Sequence, residues 1–184
     1  HVIPVCKDML TNSWSGLFGR DSGAGWSSFK YSCDCIEDAA ECAVEILYKQ
    51  TNGAYKVSKH DLAKHAAHVE VSDGKYICCV VVDYISASDL HKKMQNPLDL
   101  SGTKDQFAWI PMDELMKRRT VIKLVREHTL RYKFDNKFRL MFKDIWSTAL
   151  LPKLQISYFQ HGPVAVNVEK RQIASRPFKM RTSL

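Results

Sequence analysis

No apolar stretch in this 184-residue chain approaches the roughly 18–20 residues needed to span a bilayer, and no signal-peptide pattern opens it. A helical membrane protein is therefore not expected. Paired C-x2-C spacing is also missing, so Cys6, Cys33, Cys35, Cys42, Cys78 and Cys79 do not spell a structural zinc site. They read as buried free thiols, which pack like small hydrophobes and suit an intracellular, reducing compartment. Cys33-Asp34-Cys35 beside Asp38 is a single C-x-C, too little for a metal cluster. His65 and His68 have no second motif at fixed spacing and read as ordinary surface or strand residues. There is no internal repeat. Negative charge is scarce in one half only: residues 116–184 hold four Asp and Glu against sixteen Lys and Arg, a net of +12.

What is present fits one globular domain, since the length is enough for a sizeable core. The chain opens at His1 directly on a strand-like run, as a segment of a longer protein would. Strands are expected at Val2–Val5, at Leu17–Arg20, and near 54–57, 65–71 and 75–84. Tyr76–Val82 is continuously apolar, the pattern of a strand buried on both faces. A helix is expected over 37–50, opened by Glu37 and Asp38 where the helix dipole favours acids. Asn52-Gly53 would end it in a left-handed turn. A polar loop spans 86–105, and a long basic helical region covers 112–147, broken near Asp135-Asn136. Phe134, Phe138 and Phe142 recur every four residues and read as a core-facing helix stripe. The tail from Pro152 onward has no sustained period and reads as extended.

Residues 1–115 carry eleven Lys and Arg against sixteen Asp and Glu, so the basic excess is confined to the C-terminal part. Lys117, Arg118, Arg119, Lys123 and Arg126 are its densest run. A one-signed excess of this kind attracts phosphate backbones, each contact adding salt-dependent affinity. RNA and an acidic protein surface are the two partners it fits.

Trp26–Gly53 carries the outline of an active-site motif. The segment resembles the Nudix hydrolase box, G-x5-E-x7-R-E-U-x-E-E-x-G-U, preceded by W-S-x-F-G-G. Trp26-Ser27-Ser28-Phe29-Lys30-Tyr31 takes the latter, so the opening Gly becomes Tyr31 and the acid six positions on is Glu37. Cys42–Gly53 takes the ending A-A-x-R-E-U-x-E-E-T-N-G without a gap. Val2–Val5, the "LLGR"-like Leu17–Arg20 and the W-x-P-x-D-E-L-like Phe107–Leu115 extend the resemblance over about residues 1–146. It implies an α+β fold: a Nudix-like α/β/α sandwich with a mixed β-sheet, a long basic C-terminal helical region and an extended tail. The domain would cover 1–147 and the tail 148–184.

The family's members cleave a diphosphate linked to another moiety, using magnesium held by the glutamates of this helix. Here the Arg is Glu45 and the three ligand glutamates are Ile46, Lys49 and Gln50, a degenerate box. Magnesium is a hard cation that needs oxygen ligands, carboxylates foremost. An alkyl group, an ammonium and an amide do not supply them. Glu45 precedes Lys49 by four residues, the favourable order for a helical ion pair. The chain therefore reads as a catalytically inactive Nudix-like module for RNA or nucleotide binding, or for assembly, with no metal or other cofactor. The alternative is an active diphosphatase with relocated acids, for which Glu37, Glu41 and Glu45 are the local candidates and magnesium returns. In the resemblance's cleft, Arg20, Lys30 and Lys49 are the candidate phosphate contacts, with Trp26 or Trp109 as a stacking surface.

Overall fold

The protein is described by a computed structural model covering residues 1–21, 25–30, 38–72, 74–94, 104–125 and 128–165. In chain order its elements are β1 (Val2–Asp8), β2 (Ser13–Arg20), β3 (Trp26–Ser27), α1 (Ala39–Gln50), α2 (Lys59–His65), β4 (Ala66–Ser72), β5 (Lys75–Val81), α3 (Ala87–Met94), β6 (Gln106–Pro111), α4 (Met112–Lys117), β7 (Thr120–Val125), β8 (His128–Lys133) and α5 (Asn136–Ile145). A π-helical turn, Trp146–Leu150, then leads into α6 (Leu151–His161).

The chain is a mixed α+β protein. Six strands form one sheet: five in the order β3-β2-β1-β5-β4, and β6 paired to β2 off that path. The β1–β5 pair is parallel and the remaining pairs are antiparallel, so the sheet is mixed. Period-two alternation sends side chains to both faces. Ile3, Val5, Phe18, Ile77, Cys79, Val81 and Ile110 join a core with α4, α5 and α6. Val2, Leu17, Cys78, Val80, Phe107 and Trp109 join a second core with α1 and with Leu62 and Leu90 of α2 and α3. The sheet is thus covered by helices on both faces, which is why Tyr76–Val82 reads as unbroken apolar sequence. No helix among the described residues is long and apolar enough to cross a membrane.

The segment boundaries explain themselves locally. Asp38 is the N-cap of α1, accepting from the Ala40 N–H at 2.8 Å. Asn52 and Gly53 carry φ of 52° and 71°, so the helix ends in the left-handed turn expected there. Ser58 and Asp61 form a reciprocal capping box that starts α2.

Several expectations are corrected. Residues 118–125 and 128–135 are not helical. Most of them form the antiparallel pair β7–β8, in which Val121 opposes Tyr132 and Ile122 opposes Arg131. Asp135 does mark a boundary, as the N-cap of α5, accepting from the Phe138 N–H. Phe134 therefore lies before the helix, bridged to Trp26, while Phe138 and Phe142 stack along α5. No strand lies at 54–57, and the loop expected over 86–105 contains α3. Pro152 does not start an extended tail. It sits in the first turn of α6, directly after the π-helical turn, and the chain stays helical to His161. Residues beyond 165 of the expected tail lie outside the described residues. Cys78 and Cys79 are buried and free, but Cys42 is disulfide-bonded, so the free-thiol expectation fails there.

Candidate functional site

The helix face that matches the Nudix box is closed by the molecule's own groups. Ile46 is 5% exposed and belongs to the α1 core. Gln50, 8% exposed, is bonded twice to one peptide unit: its Nε2 donates to the Lys30 carbonyl at 2.5 Å and its Oε1 accepts from the Lys30 N–H at 3.1 Å. The Gln50 amide thereby fixes the backbone just after β3. Lys49 pairs with Glu45 one turn earlier. Tyr31 and Glu37 lie outside the described residues.

Of the candidate acids for a relocated metal site, the two described, Glu41 and Glu45, are also engaged. Lys59 of α2 donates to Asp38 at 2.8 Å and to Glu41 at 3.3 Å. The Lys59 hydrogen bond and the Ala40 N–H hold the Asp38 carboxyl below its ordinary value. Those carboxylates, on exposed side chains, face an ammonium and not a cation vacancy. Among the described residues no group of three or more His, Cys, Asp and Glu is arranged to hold a metal. The donor set on α1 does not fit magnesium.

At the far end of β2 a second cluster is built. Arg20 makes two bonds to Asp105, Nε to Oδ1 at 3.0 Å and Nη2 to Oδ2 at 2.9 Å. Beside it the Lys104 side chain is 1% exposed, with Nζ 2.6 Å from both Asp21 Oδ1 and Ser27 Oγ. Ser27 Oγ in turn donates to Asp21 Oδ2 at 2.9 Å. Burial lowers the Lys104 pKa and the Asp21 carboxylate opposes that shift. Burial would raise Asp21, but Lys104 and Ser27 outweigh it and leave the carboxyl below its ordinary value. The lysine stem crosses β2 at Gly19, where a Cβ would lie 2.2 Å from Lys104 Cγ. Glycine is required there by the close approach.

The aromatic and basic candidates separate in the same way. Trp109 is 7% exposed and its Nε1 donates to the Ile85 carbonyl at 2.8 Å, so it is core and not a stacking surface. Trp26 meets Tyr132 edge-on, with ring centroids 4.8 Å apart. Arg118 pairs with Glu114 at 2.5 Å, and Arg119 Nε donates to the Phe134 carbonyl at 3.1 Å. Lys123, its pKa lowered by burial, donates to the Trp109 carbonyl on the outer edge of β6 at 2.5 Å. Lys117 and Lys30 are exposed, and Arg126 lies outside the described residues.

A pocket of about 430 Å³ opens beside these groups, between α3, β6 and the β7–β8 hairpin. Arg20 and Trp26 reach it from the sheet. His91, Arg131 and Tyr132, which the sequence did not single out, complete its walls. The alternation Leu130-Arg131-Tyr132-Lys133-Phe134 was the available signal for that strand. Nothing local marks His91 or the buried Lys104, whose partner Asp21 is 83 residues away.

No family model and no curated protein matches the sequence. Among solved structures, the chain is similar to a C. elegans Ap4A hydrolase crystallised as a binary complex, with 13% identity, 63% of this chain and 81% of that one covered, and a TM-score of 0.37. It is also similar to a MutT/nudix family protein from Enterococcus faecalis, with 9% identity, 85% of this chain covered and a TM-score of 0.42. The chain spans 64% of the length of that second protein. These are likenesses of fold at low identity.

Proposed function

We propose that the chain is a Nudix-like domain that does not perform magnesium-dependent diphosphate cleavage at α1, and that it serves as an RNA- or nucleotide-binding module within a larger assembly. The observation that carries this reading is the double hydrogen bond between Gln50 and the Lys30 peptide unit. A group that closes a loop through both its donor and its acceptor is not free to ligate a cation. Ile46 in the core and Lys49 on Glu45 leave the other two ligand positions equally unsuited. The binding half of the reading rests on the C-terminal charge, sixteen basic against four acidic residues over 116–184.

The test is hydrolysis of nucleoside diphosphate derivatives and of capped or triphosphorylated RNA, with magnesium and with manganese. The native chain is expected to give no metal-dependent product. Turnover that Glu41→Gln or Glu45→Gln abolishes would overturn the reading in favour of relocated acids. An Ile46→Glu, Lys49→Glu, Gln50→Glu variant is a poor positive control, because the first change puts a carboxylate into the α1 core.

A further inference from the structure

We propose that the pocket between α3, the β6 edge and the β7–β8 hairpin receives one nucleotide of a single-stranded nucleic acid, with Arg131 and Lys133 holding its phosphates; this rests on the nucleic-acid-binding reading above. The volume, about 430 Å³, lies within the range of pockets that enclose small ligands. Among its lining residues, Trp26, Phe107 and Tyr132 are buried rings, and His91, Gln106 and Arg131 are exposed polar side chains. A base has an apolar ring and hydrogen-bonding edges, and this division suits it.

The hairpin is held in place from below. Trp26 bridges Phe134, the Phe134 N–H donates to the Arg119 carbonyl at 3.1 Å, and a Cβ on Gly25 would meet the Lys133 carbonyl at 3.0 Å. Tyr132 points inward, 6% exposed. Alternation then puts Arg131 and Lys133 together on the other face of β8, both exposed. Among the described residues neither belongs to an ion pair. Arg20 and Arg118, by contrast, are matched by Asp105 and Glu114. Leu130, 42% exposed, and Ile122, 54% exposed, add apolar surface to the same hairpin.

A single strand is favoured over a duplex because a base must leave its stack to enter a pocket of this size. A nucleic acid is favoured over an acidic peptide because a peptide carboxylate has no use for the buried rings. The cations would hold the backbone while the pocket takes the base, the division of labour common to single-strand binders.

The test is fluorescence anisotropy of the full chain with a short labelled single-stranded RNA, a duplex of the same sequence and an acidic peptide, over a salt series. The native chain is expected to bind the single strand most tightly. Arg131→Glu with Lys133→Glu should weaken that binding by roughly tenfold or more and flatten the log–log salt slope by about 1.4, two phosphate contacts at about 0.7 each. Lys75→Glu, an exposed lysine on β5 outside the basic C-terminal part, should leave both unchanged, and circular dichroism should show both variants folded. His91→Ala should weaken the single strand while leaving the salt slope as it is. If the double variant binds like the native chain with the same slope, the pocket assignment is wrong and the binding reading stands. If the native chain ignores RNA, or prefers the acidic peptide, both are wrong.

Discussion

The outer face of α1 and the β7–β8 hairpin are both rich in charge, and they spend it differently. On α1, Lys49 answers Glu45, and Lys59 from α2 answers Asp38 and Glu41. Gln50, the neutral member, is consumed by the Lys30 backbone. On the hairpin, Lys123 is tied to the Trp109 carbonyl, but Arg131 and Lys133 face solvent, and Arg131 lines a pocket. Charge that is internally matched builds structure. Charge left unmatched next to a cavity is available to a ligand. The contrast teaches that residue type alone does not separate charge that builds structure from charge left open to a ligand; the partners do.

The comparison can be broken from either side. The largest expected effect is at the Asp21–Lys104 cluster at the end of β2. Asp21→Ala strands the Lys104 ammonium, whose side chain is 1% exposed, with only a hydroxyl. Breaking a buried pair costs about 3–5 kcal/mol; because Asp21 is 39% exposed, a loss of about 2–3 kcal/mol is expected in urea unfolding. Lys104→Met, which removes the charge and keeps the stem, should cost clearly less. The pH dependence has a definite sign. The Asp21 carboxyl is held below its ordinary value of 3.8, so its contribution is present above about pH 4 and is lost as pH falls through the lower folded value. Asp21→Asn should therefore flatten part of the acid limb of stability.

Next is Gln50→Ala, which leaves the Lys30 N–H and carbonyl without their partner. A loss of about 1–3 kcal/mol is expected by thermal or urea unfolding. Gln50→Glu should also destabilise, because a carboxylate cannot donate to the Lys30 carbonyl. The smallest effects belong to surface charge. Glu45→Ala should cost under about 0.5 kcal/mol and less in high salt, since it removes one exposed helical pair. Arg131→Glu should change stability by no more than about 0.5 kcal/mol while changing RNA affinity strongly. A large stability loss there would mean the arginine is structural, and the contrast would fail.

Much of the fold was legible. The apolar run at Tyr76–Val82, the strand-like runs Val2–Val5 and Leu17–Arg20 and the Asn52-Gly53 stop are local patterns, and local geometry obeys them. The hairpin was misread because Phe134, Phe138 and Phe142 mimic a helix stripe, although Leu130, Tyr132 and Phe134 alternate as a strand does. The Ser58/Asp61 capping box announced α2 and was overlooked. Pro152 reads as a stop, whereas the chain runs helical through it from the π-helical turn to His161. The site was less legible for a different reason. Gln50 meets Lys30 across 20 residues, Lys104 meets Asp21 across 83, and the pocket draws on five separate elements. No window of sequence contains those encounters.

The central claim is that α1 does not hold a divalent cation, and manganese binding tests it directly. Mn²⁺ is titrated into the native chain, a Glu45→Gln variant and a protein-free blank, and the free-ion signal is followed by electron paramagnetic resonance. The account predicts that native chain and variant both leave the free Mn²⁺ signal as the blank does. A stoichiometric loss of that signal in the native chain, restored by Glu45→Gln, would contradict it.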